Sequence, residues 1–202
     1  MIAIIDYGVG NLFSLSCSFS YIGKEVTITG DPNQIRRADK LILPGVGAYS
    51  DAAKKLRDTG LASILKEEAM RGKDIMGICL GMQLLFDESH EYGINPGLGL
   101  IPGAVEPLRN HITPGLKIPH IGWNSLDIKR ESKLLKYVKN GDFVYFVHSY
   151  FAKTDPDFIS SVTDYGYPIT ATVERDNVMG CQFHPEKSGE VGLNILRAFC
   201  EV

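Results

Sequence analysis

The stretch Asp74–Asp87, which reads D-I-M-G-I-C-L-G-M-Q-L-L-F-D, constrains the fold of this chain more than any other segment. The apolar run Ile75–Ile78 has the length and flanks of a buried β-strand, and the apolar residues of Leu80–Phe86 predict a short, mostly buried helix directly after it. Cys79 therefore lies where a strand turns sharply into a helix, with one glycine two residues before it and another two residues after it. This is the pattern of a nucleophile elbow, with sulfur in place of the serine oxygen.

Cys79 has two interpretations at such a turn. The start of a helix directs free N–H groups and the positive end of the helix dipole at the sulfur, which favours the reactive thiolate. A free cysteine between a strand and a helix is also a common small hydrophobic core residue. A catalytic role requires a base, a group that orients the base, and an oxyanion site elsewhere in the chain.

The first half of the chain alternates strands with helical segments. Strands are predicted at Ile2–Asp6, Glu25–Thr29 and Lys40–Leu43, and helices over Leu12–Ile22, Ser50–Arg57 and Leu61–Arg71, with a short helical turn that begins at Asp31. This alternation predicts an α/β fold, an open and mostly parallel twisted sheet with helices on both faces.

The second half is richer in extended segments. A Gly/Pro loop at Gly93–Gly103 is followed by strand candidates at Gly103–Pro107, Lys117–Ile128, Asp142–Ser149, Phe158–Thr163, Ile169–Arg175 and Val178–Phe183, and by a final helix over Ser188–Val202. Short polar turns, glycines and prolines separate the strands, which predicts antiparallel additions to the sheet. We find no internal repeat or low-complexity linker, so residues 1–202 are expected to form a single domain.

The segment His184-Pro185-Glu186 is the candidate base with its orienting group. Residues two apart in an extended chain point the same way, and Pro185 keeps His184 out of the helical region. Glu186 is therefore expected beside the imidazole of His184, where a carboxylate fixes the ring tautomer and leaves the other nitrogen to face a nucleophile. The alternative is a surface histidine at the end of a strand.

The segment Pro44-Gly45-Val46-Gly47 is the candidate oxyanion loop. It follows the third strand, and in an open parallel sheet such loops gather at the carboxyl edge, beside the elbow. The flanking glycines free the Val46 peptide to present its N–H, which is expected to pair with the N–H of Leu80 as an oxyanion hole. An ordinary tight turn is the alternative.

Composition and charge argue against several classes of function. The net charge is −3 and the basic pairs are scattered, so no nucleic-acid surface is indicated. No apolar run is long enough to span a membrane, and the N-terminus has no secretory signal. The cysteines form no C-x-x-C pair, which indicates free thiols in a reducing cytoplasm. Cys17, Cys181 and Cys200 are interpreted as core residues, and no metal site or cofactor is predicted.

Cys79, His184 and Glu186, in that chain order, resemble the triad of the class I glutamine amidotransferases. Further segments are similar in order and spacing to one branch of that family, the glutaminase subunits of imidazole glycerol phosphate synthase. These segments are D-Y-G-V-G-N (6–11), L-P-G-V-G-A (43–48), G-I-C-L-G-M-Q-L-L (77–85), P-H-I-G-W-N (119–124), Y-F-V-H-S-Y (145–150) and F-H-P-E-K-S-G (183–189). The resemblance spans essentially the whole chain, and it implies the flavodoxin-like fold of that family.

The resemblance also implies roles for individual residues. Cys79 would attack L-glutamine and release glutamate and ammonia, with the oxyanion held by the N–H groups of Val46 and Leu80. The implied glutamine contacts are Gly47, Gln83, Ser149 and Tyr150, and the implied partner contacts are Asn11, Trp123, Tyr145 and Lys187. Simpler roles remain open for four of these residues. Gln83 fits an exposed helix position, Tyr150 and Trp123 fit the core, and Lys187 fits a solvated surface.

The implied partner is a (β/α)₈-barrel cyclase subunit, which this chain would cap as one half of a heterodimer. Ammonia would pass through the barrel and react there, and the products would be imidazole glycerol phosphate and an aminoimidazole carboxamide ribotide. Histidine biosynthesis in the cytoplasm is the expected setting.

Three alternatives compete with the interpretation of the chain as a glutaminase subunit. A cysteine hydrolase on a similar sheet would share the elbow, but such families lack the H-P-E and P-H-x-G-W-N segments. A nucleotide-binding module is suggested by Gly8-Val9-Gly10, but Phe13 occupies the position of the third glycine that the fingerprint needs. The third alternative keeps the glutaminase chemistry and supplies ammonia to a different synthase, for example one that amidates a surface sugar.

Overall fold

The computed structural model describes residues 1–202 and consists of strands, helices and short 3₁₀ turns. The strands are β1 Ile2–Ile5, β2 Val26–Thr29, β3 Lys40–Leu43, β4 Asp74–Ile78, β5 Phe86–Ser89, β6 Asn95–Pro96, β7 Ile101–Pro107, β8 His120–Ser125, β9 Asp127–Ile128, β10 Phe143–His148, β11 Tyr150–Lys153, β12 Ile159–Asp164, β13 Pro168–Arg175 and β14 Val178–Cys181. The helices are α1 Leu12–Tyr21, α2 Pro32–Arg37, α3 Tyr49–Asp58, α4 Leu61–Met70, α5 Leu80–Gln83 and α6 Gly189–Glu201. Single 3₁₀ turns cover Leu108–Asn110, Lys133–Leu135, Pro156–Phe158 and Pro185–Lys187. None of the helices is long and apolar enough to cross a membrane.

The central sheet has eight strands in the order β2-β1-β3-β4-β14-β13-β12-β9. The first five are parallel, and β13, β12 and β9 add to them in antiparallel fashion. The predicted fold class, a mostly parallel sheet with antiparallel additions from the second half, is therefore confirmed. Strand β14 lies directly beside β4, with Cys181 opposite Ile78, so the segments that follow these two strands leave the sheet at the same edge.

Helices cover both faces of the sheet, which explains why its inner strands read as continuous apolar runs. In β1, Ala3 and Ile5 contribute to a core cluster that includes residues of α2, α3 and α4. Ile2 and Ile4 point the other way, into a cluster that includes residues of α1 and α6. Both clusters are almost completely shielded from solvent.

Two smaller sheets complete the molecule. One has the order β11-β7-β5-β6, and the other is the two-stranded ribbon of β10 and β8. Strands β5, β6 and β11 were not predicted, and the helix expected over Leu80–Phe86 ends at Gln83. The helix stops after one turn because the carbonyls of Leu84 and Leu85 accept hydrogen bonds from Leu98 and Leu100 across the chain.

Two further expectations are corrected. Cys17, interpreted as a core residue, is exposed, because it lies between the buried Leu15 and Phe19 on the opposite side of α1. The strand expected over Lys117–Ile128 begins only at His120, and Leu126 separates it from β9. Cys181 is buried, as predicted, and Cys200 is partly buried.

Candidate active site

Cys79 lies at the strained turn between β4 and α5. Its φ of 54° and ψ of −112° are unusual for a residue with a side chain. The two flanking glycines permit this turn, because a Cβ on Gly81 would lie 1.8 Å from the carbonyl oxygen of Leu43, and one on Gly77 would lie 2.6 Å from the Cα of Met82. The Cys79 N–H donates to the carbonyl of Cys181 at 2.8 Å, which ties the turn to β14.

His184 and Glu186 follow β14 and face the same elbow. The Nδ1 of His184 is 2.8 Å from Oε1 of Glu186, and both side chains are buried. The carboxylate accepts a hydrogen bond from the Nδ1–H group, which leaves Nε2 to face the sulfur. Burial alone would lower the pKa of His184, but hydrogen bonds and charge interactions with the Cys79 sulfur and the Glu186 carboxylate raise it to about 10.

Backbone and side-chain hydrogen bonds fix the segment that carries His184. Its N–H donates to the carbonyl of Tyr145 on β10 at 3.0 Å. Its carbonyl accepts from the buried Ser188 hydroxyl at 2.6 Å, and the Tyr145 N–H in turn donates to that hydroxyl at 3.0 Å. The imidazole is therefore presented from a rigid backbone, as a positioned base requires.

The candidate oxyanion groups lie beside the sulfur. Val46 and Leu80 line the same cavity as Cys79. Leu80 is the first residue of α5, so its N–H group has no acceptor within the helix. A hydrogen bond fixes the loop before Val46, since the buried hydroxyl of Tyr7 donates to the carbonyl of Pro44 at 2.7 Å. Gly47 has a φ of +94°, a conformation that side chains disfavour and glycine adopts readily.

A cavity of about 530 Å³ opens at this edge of the sheet, a size typical of small-molecule sites. Cys79 and His184 line it together with the four predicted glutamine contacts Gly47, Gln83, Ser149 and Tyr150. Gln83 is buried and is not an exposed helix residue, and Tyr150 lies half-buried at the start of β11.

Seven further residues of the cavity were not predicted from the sequence, namely Glu91, Tyr92, Arg109, Ile118, Pro119, Val147 and His148. Glu91 and Arg109 bring opposite charges to its wall, and Tyr92 lies at its mouth with a positive φ of 53°. The Glu91 carboxylate accepts the backbone N–H of Tyr49 at 2.7 Å, which fixes its position. An anionic and a cationic side chain on one cavity suit the ammonium and carboxylate groups of a free amino acid. Their sequence neighbourhoods read as loops, so no local pattern identified them.

The four predicted partner contacts fall into two places. Trp123, on β8, is 54% exposed and is therefore not a core residue. Its ring lies 6.1 Å from that of Tyr145, and the exposed Lys187 places its Nζ 5.9 Å from the same tyrosine ring. Asn11 lies apart from this cluster and caps α1, accepting the N–H of Ser14 at 3.4 Å.

Comparison with known proteins gives one consistent result. The family model described as Glutamine amidotransferase class-I matches residues 3–201. A protein of Caldanaerobacter subterraneus named "Imidazole glycerol phosphate synthase subunit HisH" is 51% identical over 203 residues, covering 100% of this chain and 98% of that protein. Proteins of the same name from Listeria monocytogenes and Methanothermobacter thermautotrophicus are 48% and 49% identical, with 100% of this chain and 96% and 98% of theirs covered.

Solved structures resemble the fold at lower identity. A chain titled "Crystal structure of glutamine amidotransferase" superposes with a TM-score of 0.78 at 18% identity, covering 100% of this chain and 98% of that one. The "Structure of PurLQS from Thermotoga maritima" gives a TM-score of 0.77 at 22% identity, with coverage of 99% and 97%. At these identities the likeness concerns the fold alone.

Proposed function

This chain belongs to the class I glutamine amidotransferases and, within them, to the HisH subunits of imidazole glycerol phosphate synthase, and on that premise we propose how its residues carry out the reaction. It is the glutaminase subunit of that synthase, which acts in histidine biosynthesis. Our proposal is that Cys79, His184 and Glu186 hydrolyse L-glutamine to glutamate and ammonia in the cavity at the carboxyl edge of the sheet.

The chemistry follows from the positions of the three side chains. His184 holds the proton of the Cys79 thiol, and the thiolate attacks the side-chain carbonyl carbon of glutamine. The tetrahedral intermediate collapses as the imidazolium gives its proton to the departing ammonia, which leaves a γ-glutamyl thioester. A water molecule, deprotonated by His184, attacks the thioester and releases glutamate with the thiolate restored. Glu186 keeps Nε2 directed at the sulfur throughout.

Stabilisation of the oxyanion is assigned to backbone N–H groups. Leu80 and Val46 line the same cavity as Cys79, and a pair of N–H donors is worth several kcal/mol in such a site. We further assign the α-ammonium of glutamine to Glu91 and its α-carboxylate to Arg109, with Gly47, Gln83, Ser149 and Tyr150 around the side chain.

The observation that carries the proposal is the buried ion pair of His184 and Glu186 beside Cys79, on a cavity of amino-acid size. Burial of an imidazole and a carboxylate costs free energy unless they are paired, and fold stability alone does not call for such a pair. The arrangement is what a cysteine nucleophile with a positioned base requires.

Cys79→Ala tests the assignment, because it removes one sulfur from a site that is otherwise intact. We expect glutaminase activity to fall at least a thousandfold in the complete synthase, with an unchanged circular dichroism spectrum. A diazoketone analogue of glutamine should label Cys79 in the parent chain, and glutamine should block the labelling. Parental glutamine hydrolysis by Cys79→Ala would contradict the proposal, and labelling that glutamine does not block would point to another cysteine hydrolase.

The synthase has a further subunit, and we propose that this subunit is a (β/α)₈-barrel cyclase that forms a heterodimer with this chain. Ammonia released into water would be protonated and diffuse away, so a separate acceptor site requires a sealed interface. Trp123, Tyr145 and Lys187 form a partly exposed cluster near the cavity that suits such a contact, and Asn11 is assigned to its margin. We also propose that residues 1–202 form one domain and that the protein works in the cytoplasm.

A further inference from the structure

A buried glutamine beside the nucleophile has no part in the triad chemistry. Gln182, between β14 and His184, is fully buried, and its Nε2 lies 3.7 Å from the sulfur of Cys79. A buried side-chain amide costs free energy unless its donors and acceptor are satisfied, and an apolar residue would fill this position at no such cost. The contact with the sulfur therefore requires an explanation.

The orientation of the Gln182 amide is fixed by a second buried glutamine. Gln83 donates from Nε2 to Oε1 of Gln182 at 2.9 Å, and also to the carbonyl oxygen of Tyr150 at 2.9 Å. Because an amide NH₂ donates and the acceptor oxygen of Gln182 is already engaged, the NH₂ end of Gln182 is the end that faces Cys79. A thiolate is an acceptor and benefits from this donor.

His148 donates to the Tyr150 carbonyl oxygen, and His120 in turn donates to His148. Nδ1 of His148 is 2.9 Å from that oxygen, which can only accept, so Nδ1 carries the proton. The unprotonated Nε2 of His148 then accepts from Nδ1 of His120 at 3.0 Å. Burial lowers the pKa of His148 to about 3 and that of His120 to about 4, so both rings are neutral and these bond directions persist at neutral pH.

The chain of hydrogen bonds ends on the β8–β10 ribbon, which lies outside the main sheet. His120 begins β8, which pairs only with β10, and its ring stacks 4.0 Å from that of Tyr165 and 4.9 Å from that of Phe146. The same strand carries the exposed Trp123. A continuous path of hydrogen bonds thus runs from this ribbon to the nucleophile.

We propose that Gln182 is a further catalytic residue, which donates a hydrogen bond to the Cys79 thiolate, and that His148 is a positioning residue, which keeps the Gln182 amide directed at the sulfur through the Tyr150 carbonyl and Gln83. This inference rests on the proposed role of Cys79 as nucleophile. It adds a neutral donor to the charged one that His184 supplies, so that the thiolate is held on two sides.

Other groups near the sulfur must be separated from Gln182 in any test. The titratable groups that interact with Cys79 are His184 with Glu186 behind it, Tyr7 from the turn after β1, and Cys181 on β14. The charged side chains of Glu91, Arg109 and Lys187 line the same cavity. Substitution of Gln182 leaves all of these groups in place. A change in the ionisation of Cys79 that follows from it is therefore attributable to the lost N–H donor.

The first experiment replaces Gln182 by the apolar residues of similar size in Gln182→Met and Gln182→Leu. Alkylation of Cys79 by iodoacetamide is followed across pH 4–10 by mass spectrometry of the peptide that carries it. We expect the midpoint of the alkylation profile to rise by about one to two pH units, since a hydrogen bond to a charged group is worth about 1.5–3 kcal/mol and one pKa unit corresponds to about 1.4 kcal/mol. The kcat for glutamine in the complete synthase should fall about tenfold, with KM little changed.

The second experiment tests the positioning role with a matched pair of variants at one site. His148→Asn retains an N–H donor near the position of Nδ1, whereas His148→Phe removes it. We expect His148→Phe to shift the alkylation midpoint in the same direction as Gln182→Met, and His148→Asn to restore it. Because His148 acts through Gln182, the double variant Gln182→Met/His148→Phe should shift no further than Gln182→Met alone.

The outcomes separate this inference from the proposed function. An unchanged alkylation midpoint in folded Gln182→Met or Gln182→Leu would overturn the role of Gln182. Equal shifts in His148→Phe and His148→Asn, or additive shifts in the double variant, would overturn the role of His148. Should both Gln182 variants fail to fold, the His148 pair alone decides, because absence of any midpoint shift in His148→Phe overturns the path. Failure of the proposed function would appear instead as a complete synthase in which the parent chain has no glutaminase activity.

Discussion

At the scale of single residues, Glu186 decides which nitrogen of His184 faces Cys79. Only one of its carboxylate oxygens is engaged, since Oε1 accepts from Nδ1 while Oε2 is buried without a partner. The only hydrogen bond of this carboxylate is therefore to the imidazole, and its negative charge stabilises the protonated form of the ring. The ion pair and the sulfur together set the proton affinity of the base.

The two neighbours of His184 should therefore each be visible in its titration. We expect Glu186→Gln and Cys79→Ala to lower the pKa of His184 below the value of about 10 in the parent, because each removes a hydrogen bond and a charge interaction that favour the imidazolium. NMR titration of ¹⁵N-labelled histidine measures this directly. His111, whose imidazole pairs with Glu106 away from the cavity, serves as an internal control and should not shift. An unchanged pKa of His184 in both variants would contradict its assigned interactions with Glu186 and Cys79.

The same ion pair predicts a dependence of stability on pH. The pKa of His184 is raised in the folded state from its ordinary value of 6.5 to about 10, so its contribution to stability is complete below pH 6.5 and is lost as the pH rises toward 10. We expect the free energy of unfolding of the parent to exceed that of His184→Gln most at pH 6, with the difference shrinking up to pH 10. Urea denaturation of both proteins across this range checks the sign. A difference that grows with pH would contradict it.

Individual site residues differed in how far the sequence could reveal them. Cys79 stands inside a local pattern of strand, glycines and helix, and His184 and Glu186 are two positions apart, so short-range geometry was sufficient to propose them. Gln182 meets its partner across 103 residues of chain, and Glu91 reaches Tyr49 across 42. Nothing in the neighbourhood of these residues indicates such contacts, because only the folded sheet brings them together.

At the scale of elements, tertiary pairing overrode local pattern in one instructive place. The apolar residues after Cys79 are equally consistent with a longer helix, and a short apolar run does not distinguish helix from strand by periodicity. In the structure the helix ends at Gln83, and Phe86 begins β5, which pairs with β7. The alternating strands and helices of the first half were predictable because their buried faces repeat along the sequence. Strand β5 instead depends on pairing with β7 later in the chain, and β6 forms only by pairing with β5.

The glycine at the start of α5 gives the sharpest test of this element. Gly81→Ala would place a Cβ 1.8 Å from the Leu43 carbonyl oxygen. The clash is with backbone atoms, which cannot move aside as the end of a flexible side chain can. We expect a loss of about 3 kcal/mol or more in the free energy of unfolding, measured by urea denaturation. Gly23→Ala is the matched control, since a Cβ there meets nothing within 4 Å and only its φ of +72° is unfavourable, at about 1 kcal/mol. Equal losses in the two variants would contradict the steric argument.

At the scale of the whole molecule, the parallel topology is what assembles the site. Strands β3, β4 and β14 are neighbours and run the same way, so the oxyanion loop, the nucleophile and the base all emerge at one edge. Open α/β sheets bind ligands outside the carboxyl ends of their strands, and this cavity follows that rule. The β8–β10 ribbon lies over the same edge, since Ile118 and Pro119 just before it line the cavity and Ile121 and Trp123 are exposed beyond it.

The cyclase subunit that we propose as the receiver of ammonia is therefore expected to dock on the edge that carries the ribbon. We expect Trp123→Ala to weaken association with the cyclase about thirtyfold, a loss of ~2 kcal/mol typical of a buried tryptophan anchor, while leaving the melting temperature of the isolated chain nearly unchanged because the ring is exposed there. Isothermal titration calorimetry measures both the parent and the variant. Met70→Ala is the matched control, since Met70 is 79% exposed but ends α4, just before β4 enters the sheet at the opposite edge. If Trp123→Ala bound the cyclase as tightly as Met70→Ala does, the ribbon would not be the docking surface, and ammonia would have to leave the molecule by another face.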